Sequence, residues 1–409
     1  MCFVRELNCW LSGTTDPADF PYLTVLREFH EVGKHFVEKE TLSLLDESRG
    51  RVTGHPAAGH DDPARLLRDF LDVALDKWDG RYDYRSYLAL RLIGLSGEAE
   101  EPTFGGDDAA RRLLRDRLVV CLVADVLNFE LAAAAHATTL LPRQRPGLTV
   151  VAKRCRLGVR AALPALARLG LTGLVQEGEP TSAAATLHAV AVDLDSVGAL
   201  PLRLSMLPVH VTHDEYLFLR VLQAYECVFA GVADELRAVI AAIGVDDARA
   251  AADRLEYARN LILNAGPLFS LLATMQPKSF QTFRQYTEGA SAIQSRSYKL
   301  VESLCRGPDQ DRLDSAAYAA VPELRARVRA GQPTIDDAYR SAVRDGRLVG
   351  ADRDLIIRRM ELFAETLLQW RRTHHRIAVR MLGPRPGTGY TEGTPYLAAV
   401  RALPVFFTA

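Results

Sequence analysis

Apolar residues recur at steps of three and four along most of the chain, the spacing of one face of an α-helix. Alternating patterns, which mark strands, are nearly absent, so the expected class is all-α. The spacing predicts one helix over about 21–46, another over 63–78 and a short element over 81–90. Residues 108–136 and 152–170 read as helices with alanine-rich faces, and 187–211 as mixed and irregular. Three long helices are expected near 213–241, 247–275 and 279–305, then a linker or small helices over 306–351. Polar stretches at 54–63 and 96–108 break the pattern, and no internal repeat is visible.

The last long helix is expected over 352–382. Ile356, Met360, Phe363, Leu367, Trp370, His374, Ile377 and Met381 fall on one stripe, which should face a core. His374 is on the stripe, while His375 is turned about 100° away, toward solvent or a rim. Gly383 and Pro384 supply the stop. Position alone leaves two roles open for His374. It is a core histidine bonded to a carbonyl, the commoner case, or an axial ligand to a haem iron. No HExxH or CxxCH pattern accompanies it, which argues against zinc.

Composition narrows the classes. Of 409 residues, 48% are hydrophobic and 25% charged, a globular balance with room for a sizeable core. The net charge of −1 gives no field for nucleic acid or an anionic membrane. No stretch is apolar enough for a membrane span, and the first twenty residues lack the apolar segment of a signal peptide. Six scattered cysteines form no CxxC pair, so reduced thiols and a cytoplasmic location are expected.

Four segments, in chain order, carry a resemblance. They are "YRSYL" (84–88), "THDEYLFLRVLQAYE" (212–226), "SFQTFRQYTEGASAIQS" (279–295), and "WRRTH" (370–374) with "GTGYTEGTPYL" (387–397). Together they resemble the tryptophan 2,3-dioxygenase family of haem enzymes. The resemblance implies an all-α bundle of the tryptophan/indoleamine dioxygenase type enclosing a b-type haem. It also implies a chain that departs from the family pattern. Leu88 and His213 lie 125 positions apart where the family has a short connection. Residues 1–75 then form an N-terminal helical extension, 76–409 the haem-binding domain, and about 97–205 a helical insertion.

The resemblance assigns roles residue by residue. His374 is the proximal ligand of the haem iron, with Trp370 and Ser291 beside the cofactor. Phe218 and Phe280 flank the substrate ring, Arg284 holds its carboxylate, and Thr388 meets its amino group. A guanidinium binds a carboxylate in a two-pronged pair, so the Arg284 role is chemically sound. Tyr84 and Tyr87 match residues that reach the active site of a neighbouring subunit, which implies a homo-oligomer, dimer or tetramer. Leu222 stands where the family has a distal histidine that meets the indole N–H, so no catalytic residue is certain. Leucine accepts no hydrogen bond and moves no proton. Ala292 adds a methyl where the family has glycine, and Tyr390 and Glu392 replace small residues. Three residues are read as structural. Thr212 and Glu215 form a capping box that opens a helix. Arg220, on the face of that helix opposite Phe218 and Leu222, is expected at a surface or interface.

The expected function is a haem-dependent oxygenase using O₂ on L-tryptophan or a related aromatic amino acid. Both oxygen atoms enter with indole 2,3-cleavage, or one enters the ring; the departures favour specialised metabolism. An aromatic hydroxylase of the tyrosine type, using O₂ or peroxide, is the alternative. A haem sensor without turnover, or a helical interaction protein that has lost haem, are alternatives of other classes.

Overall fold

A computed structural model describes residues 2–13, 15–52, 62–95, 106–175, 178–194, 198–383 and 393–407. Every regular element among them is helical; a single β-bridge pairs Arg143 with Thr212. None of these helices is long and apolar enough to cross a membrane. The helices are α1 (Cys2–Ser12), α2 (Tyr22–Val32), α3 (Lys39–Val52), α4 (Pro63–Ala74), α5 (Tyr84–Tyr87), α6 (Asp108–Ala134), α7 (Leu148–Arg168), α8 (Pro180–Leu194), α9 (Ala199–Leu204), α10 (His213–Gly244), α11 (Ala248–Asn264), α12 (Gly266–Leu272), α13 (Pro277–Arg284) and α14 (Arg296–Cys305). Four short helices follow, α15 (Gln310–Leu313), α16 (Ala316–Ala319), α17 (Pro322–Arg329) and α18 (Ile335–Arg344), then α19 (Gly350–Leu382) and α20 (Thr394–Arg401).

The centre of the molecule is α10, apolar almost all round. It packs on α11, α6 and α14, while α19 lies against α11, α12, α13 and α20. Helix α10 is buried on nearly every side along most of its length, its polar side chains, such as Arg220 and Glu215, being met by partners on the surrounding segments. A second, smaller core joins α1–α4 and extends only to Ala89, Leu92, Leu204 and Leu207 of the remainder.

Three sequence readings are corrected. The helix expected over 21–46 is broken: α2 stops at Val32 and α3 starts at Lys39. Gly33 breaks it, with φ +88°, and a Cβ there would lie 2.8 Å from the Cα of His210 and the carbonyl oxygen of Val209. Only glycine allows that backbone angle and that approach. The pattern over 247–275 divides at Gly266-Pro267 into α11 and α12, and that over 279–305 into α13 and α14. Arg220 is not at the surface. It is 1% exposed, ion-paired to Asp125 of α6 at 2.6 Å and bonded to Ser205, Gln223 and the Leu202 carbonyl. The segments holding Asp125 and Leu202 cover a face that looked free in the sequence of α10 alone.

Candidate active site

The C-terminal half of the α19 stripe does not meet a solid core. Ile356, Met360, Phe363 and Leu367 are buried by neighbours, but Trp370, His374, Ile377 and Met381 border a cavity of about 210 Å³. α10 contributes Phe218, Leu222, Tyr225, Glu226 and Phe229 to its wall; α12 and α13 add Phe269, Phe280, Phe283 and Arg284. The walls are mainly apolar and aromatic, the usual character of a small-molecule or cofactor pocket.

His374 is positioned by its helix. One turn earlier, Trp370 lies tilted at 5.2 Å between ring centres, and Phe269 stacks on the imidazole at 6.1 Å and 13°. Trp370 is itself fixed by Tyr298, stacked at 5.2 Å, and Phe229, edge-on at 5.0 Å. Among the described residues no side chain or carbonyl is hydrogen-bonded to the His374 ring. The ring is half-buried among the residues of the cavity wall. That enclosure, with His375 next to it, pushes its pKa down to about 4. At neutral pH it is therefore an uncharged imidazole with its lone pair available. His375 does not border the cavity.

Opposite, three phenylalanines form a cage. Phe218 meets Phe280 edge-on at 5.5 Å and Phe283 at 5.4 Å, and Phe280 meets Phe283 at 5.4 Å and 87°. Such offset and edge arrangements are the favourable ones for aromatic rings. Tyr87 closes one side of the cage at 6.5 Å from Phe218. Arg284, at the end of α13 one turn beyond Phe280, brings a guanidinium to the same cavity. The N-terminus of α13 is anchored because the Gln276 N–H donates to Asp214 at 2.9 Å.

The sequence-derived residues thus converge: Tyr84, Tyr87, Phe218, Leu222, Phe280, Arg284, Ser291, Trp370 and His374 all border one cavity. Thr388, with Gly387, Gly389, Tyr390 and Glu392, lies outside the described residues. Tyr84 and Tyr87 reach the cavity from within the same chain, their hydroxyls donating to Glu226 at 3.2 Å and Glu215 at 3.3 Å. A neighbouring subunit is not needed to supply them. At Ser291 the main-chain carbonyl accepts the Gln294 N–H at 2.8 Å, and the Ser291 N–H donates to Gln294 Oε1 at 3.1 Å. The Thr212–Glu215 capping box is replaced by another arrangement. Glu215 accepts from the N–H groups of Val209 and His210, at 2.7 and 3.0 Å, and Thr212 Oγ1 bonds His210 instead.

Some cavity residues escaped the sequence reading. Glu226, one turn past Leu222, is buried, and burial raises its pKa even though Tyr84 donates to it. Helical arithmetic from Leu222 would have found it. Lys299 is also buried, and burial pushes its ammonium down to about 7 against the pull of Glu302. Beside it, burial alone would raise Glu302, but Arg312, paired at 2.8 Å, holds it at about 2. Arg371 completes that group, donating to the Tyr298 hydroxyl at 2.7 Å and the Leu403 carbonyl at 2.6 Å. Nothing in the local sequence marks Lys299 or Arg312.

The tryptophan 2,3-dioxygenase family model matches residues 176–320. Three relatives illustrate the likeness. The tryptophan 2,3-dioxygenase of Anaeromyxobacter sp. (strain K) is 26% identical over 249 residues, 54% of this chain and 94% of that protein. That of Bradyrhizobium sp. (strain BTAi1 / ATCC BAA-1182) is 28% identical over 235 residues, 49% of this chain and 83% of the relative. That of Nocardioides sp. (strain ATCC BAA-499 / JS614) is 29% identical over 221 residues, 47% and 81% of the two chains.

Over these stretches the chain is similar to the tryptophan 2,3-dioxygenase family.

The residues present fit the haem that this likeness implies. A flat apolar macrocycle needs aromatic and aliphatic walls and one axial nitrogen, and the cavity offers both. No group of three or more His, Cys, Asp or Glu side chains that could hold a metal ion is present among the described residues. Buried beside His374, the Trp370 indole N–H also has no partner among the described residues, which leaves a donor next to the axial nitrogen. The matched segment ends before α19, so the case for His374 rests on its helix and its cavity.

Proposed function

We propose that this protein is a haem-dependent oxygenase that adds oxygen to the ring of L-tryptophan or a related aromatic amino acid. One observation carries the proposal: a neutral imidazole without a protein partner among the described residues, on one wall of an apolar cavity that also holds a guanidinium. Core histidines normally spend their ring nitrogens on protein groups. The relatives' printed activity, tryptophan 2,3-dioxygenation, supports the same reading.

Mechanism follows from what each side chain can do. His374 would hold the haem through its unprotonated nitrogen, and Phe269 and Trp370 set the plane of its ring. Haem, when bound, supplies the iron that binds and activates O₂. Phe218, Phe280 and Phe283 hold a flat ring by edge contacts, and Arg284 holds its carboxylate by two charge-assisted hydrogen bonds. Thr388 is assigned the amino group by resemblance to the family. Leu222 gives the ring no acceptor and no base, so an indole N–H beside it stays protonated. Leaving that N–H unpaired costs ~1–3 kcal/mol, which favours a guest whose donor meets a different wall. We assign the protein to specialised metabolism on this ground. Either both atoms of O₂ enter with cleavage of the indole 2,3-bond, or one oxygen atom from peroxide is added to the ring and the other leaves as water.

The test is a ligand screen on the haem-loaded protein. Indole and phenol amino acids are added in turn and the Soret band is followed, then products of turnover are weighed by mass spectrometry. A shift with one of them, and a product heavier by the mass of one or two oxygen atoms, support the proposal. Haem without any ligand-induced shift means a sensor, and a protein that takes up no haem ends the proposal.

A further inference from the structure

The turn after Arg284 is gripped from outside the cavity by three segments distant in sequence. Tyr286 is the point of contact. Its ring stacks on His210 at 5.2 Å and 4°, and meets Phe36 at 4.9 Å and His35 at 5.0 Å. Lys77 Nζ donates to the Tyr286 carbonyl at 3.0 Å and to Glu288 at 2.9 Å, and His35 Nδ1 lies 3.4 Å from the same carboxylate. The segments carrying these groups are locked together. The Lys34 N–H donates to the Pro208 carbonyl at 2.9 Å and the His35 N–H to Val209 at 3.2 Å. Lys34 Nζ pairs with buried Asp76 at 2.7 Å. Gly33 permits the two backbones to touch. His210 is held in turn by Thr212 Oγ1 at 2.6 Å and Arg143 at 3.4 Å.

The grip passes directly to the cavity. Thr287, next to Tyr286, donates its N–H and its hydroxyl to the Arg284 carbonyl, at 3.2 and 2.9 Å. Thr287 and Ala290 border the cavity beside Arg284. With Asp214 at the other end, α13 is fixed at both termini. A helix of only two turns has little stiffness or stability of its own, so its ends decide where its side chains lie.

We propose that the clasp of Phe36, Lys77 and His210 on Tyr286 is a positioning device. It sets the Arg284 guanidinium for an acid-bearing guest, and so makes residues 33–36 and 76–77 part of substrate selection. The proposal rests on the reading of Arg284 as the carboxylate clamp. None of the clasp residues is assigned contact with the guest; they act through the turn. A stacked ring at 210 and a stacked ring at 286 are what the device requires, not the basicity of the imidazole.

The test compares two ligands of the haem-loaded protein, L-tryptophan and tryptamine, the same ring without the carboxylate. Dissociation constants are read from the Soret band. The unmodified protein prefers the acid, and Arg284→Ala removes that preference. His210→Ala weakens L-tryptophan roughly ten-fold, since a displacement near 1 Å is expensive at a charged pair, and leaves tryptamine within about two-fold. His210→Phe, which keeps a ring in the stack, restores the acid preference. Equal weakening of both ligands by His210→Ala, or no change in either, overturns the clasp while leaving Arg284 in place. If Arg284→Ala leaves the preference intact, the reading of Arg284 falls and takes the clasp with it.

Discussion

Two buried polar sites in this molecule differ in a way that separates architecture from chemistry. Arg154 is fully enclosed between α6, α7 and α10 and is satisfied on every side. It pairs with Glu130 at 2.7 Å and Asp214 at 2.6 Å, and bonds Thr274 at 3.0 Å. His213 stacks on Phe129 nearby, 3.2 Å from Glu130 but angled short of a hydrogen bond. His374 is also enclosed, yet its ring finds aromatic faces and a cavity instead of a partner. A satisfied buried charge joins helices, and the unbonded His213 ring beside it is packed against Phe129; the His374 ring instead faces a cavity that a cofactor can enter.

The comparison breaks first at Arg154. Arg154→Met leaves two buried carboxylates without their cation and should cost about 3–5 kcal/mol of stability, seen as a lower midpoint in urea. A change within experimental scatter would mean that the network is not holding the insertion to α10.

Lys299 sharpens the contrast, because its burial outweighs the Ile293 carbonyl it donates to and the pull of Glu302. Its ammonium keeps a proton up to about 10.5 in the unfolded chain but only to about 7 in the folded one. Between those values the unfolded state binds more protons, so stability rises with pH across the window and is lowest below it. Urea midpoints taken from pH 7 to 10 should therefore climb more steeply in the unmodified protein than in Lys299→Met. Each tenfold loss of proton affinity on folding is worth about 1.4 kcal/mol, so the difference amounts to a few kcal/mol. Identical slopes would show that Lys299 stays charged.

Arg284 gives the smallest of these effects. Arg284→Ala should raise the dissociation constant of the acid-bearing guest by tens-fold, about 2 kcal/mol, with stability nearly unchanged. An unaltered constant removes Arg284 from the substrate role.

The difference between the two sites also explains what the sequence could convey. The α19 stripe is a local pattern, so His374 and its direction were legible from spacing alone. The same arithmetic on α10 aligned Phe218 and Leu222, and it extends to Glu226. Arg220 misled because its cover comes from Asp125 and Leu202, far away in the chain. Thr212 and Glu215 had the spacing of a capping box, but Glu215 found better donors in Val209 and His210. Gly33 sat inside an apparent helix because its reason, contact with His210, lies 177 positions on. Local periodicity predicts faces; it cannot predict what covers them. The family resemblance, carried by four short segments, filled part of that gap, since all four meet at one cavity.

The central claim is that the His374 imidazole is reserved for iron. The direct measurement is a haem titration of the unmodified protein, His374→Ala and His375→Ala, followed at the Soret band. The account predicts saturable uptake by the first, none by the second and nearly full uptake by the third. Equal loss in both variants, or undiminished uptake by His374→Ala, would contradict it.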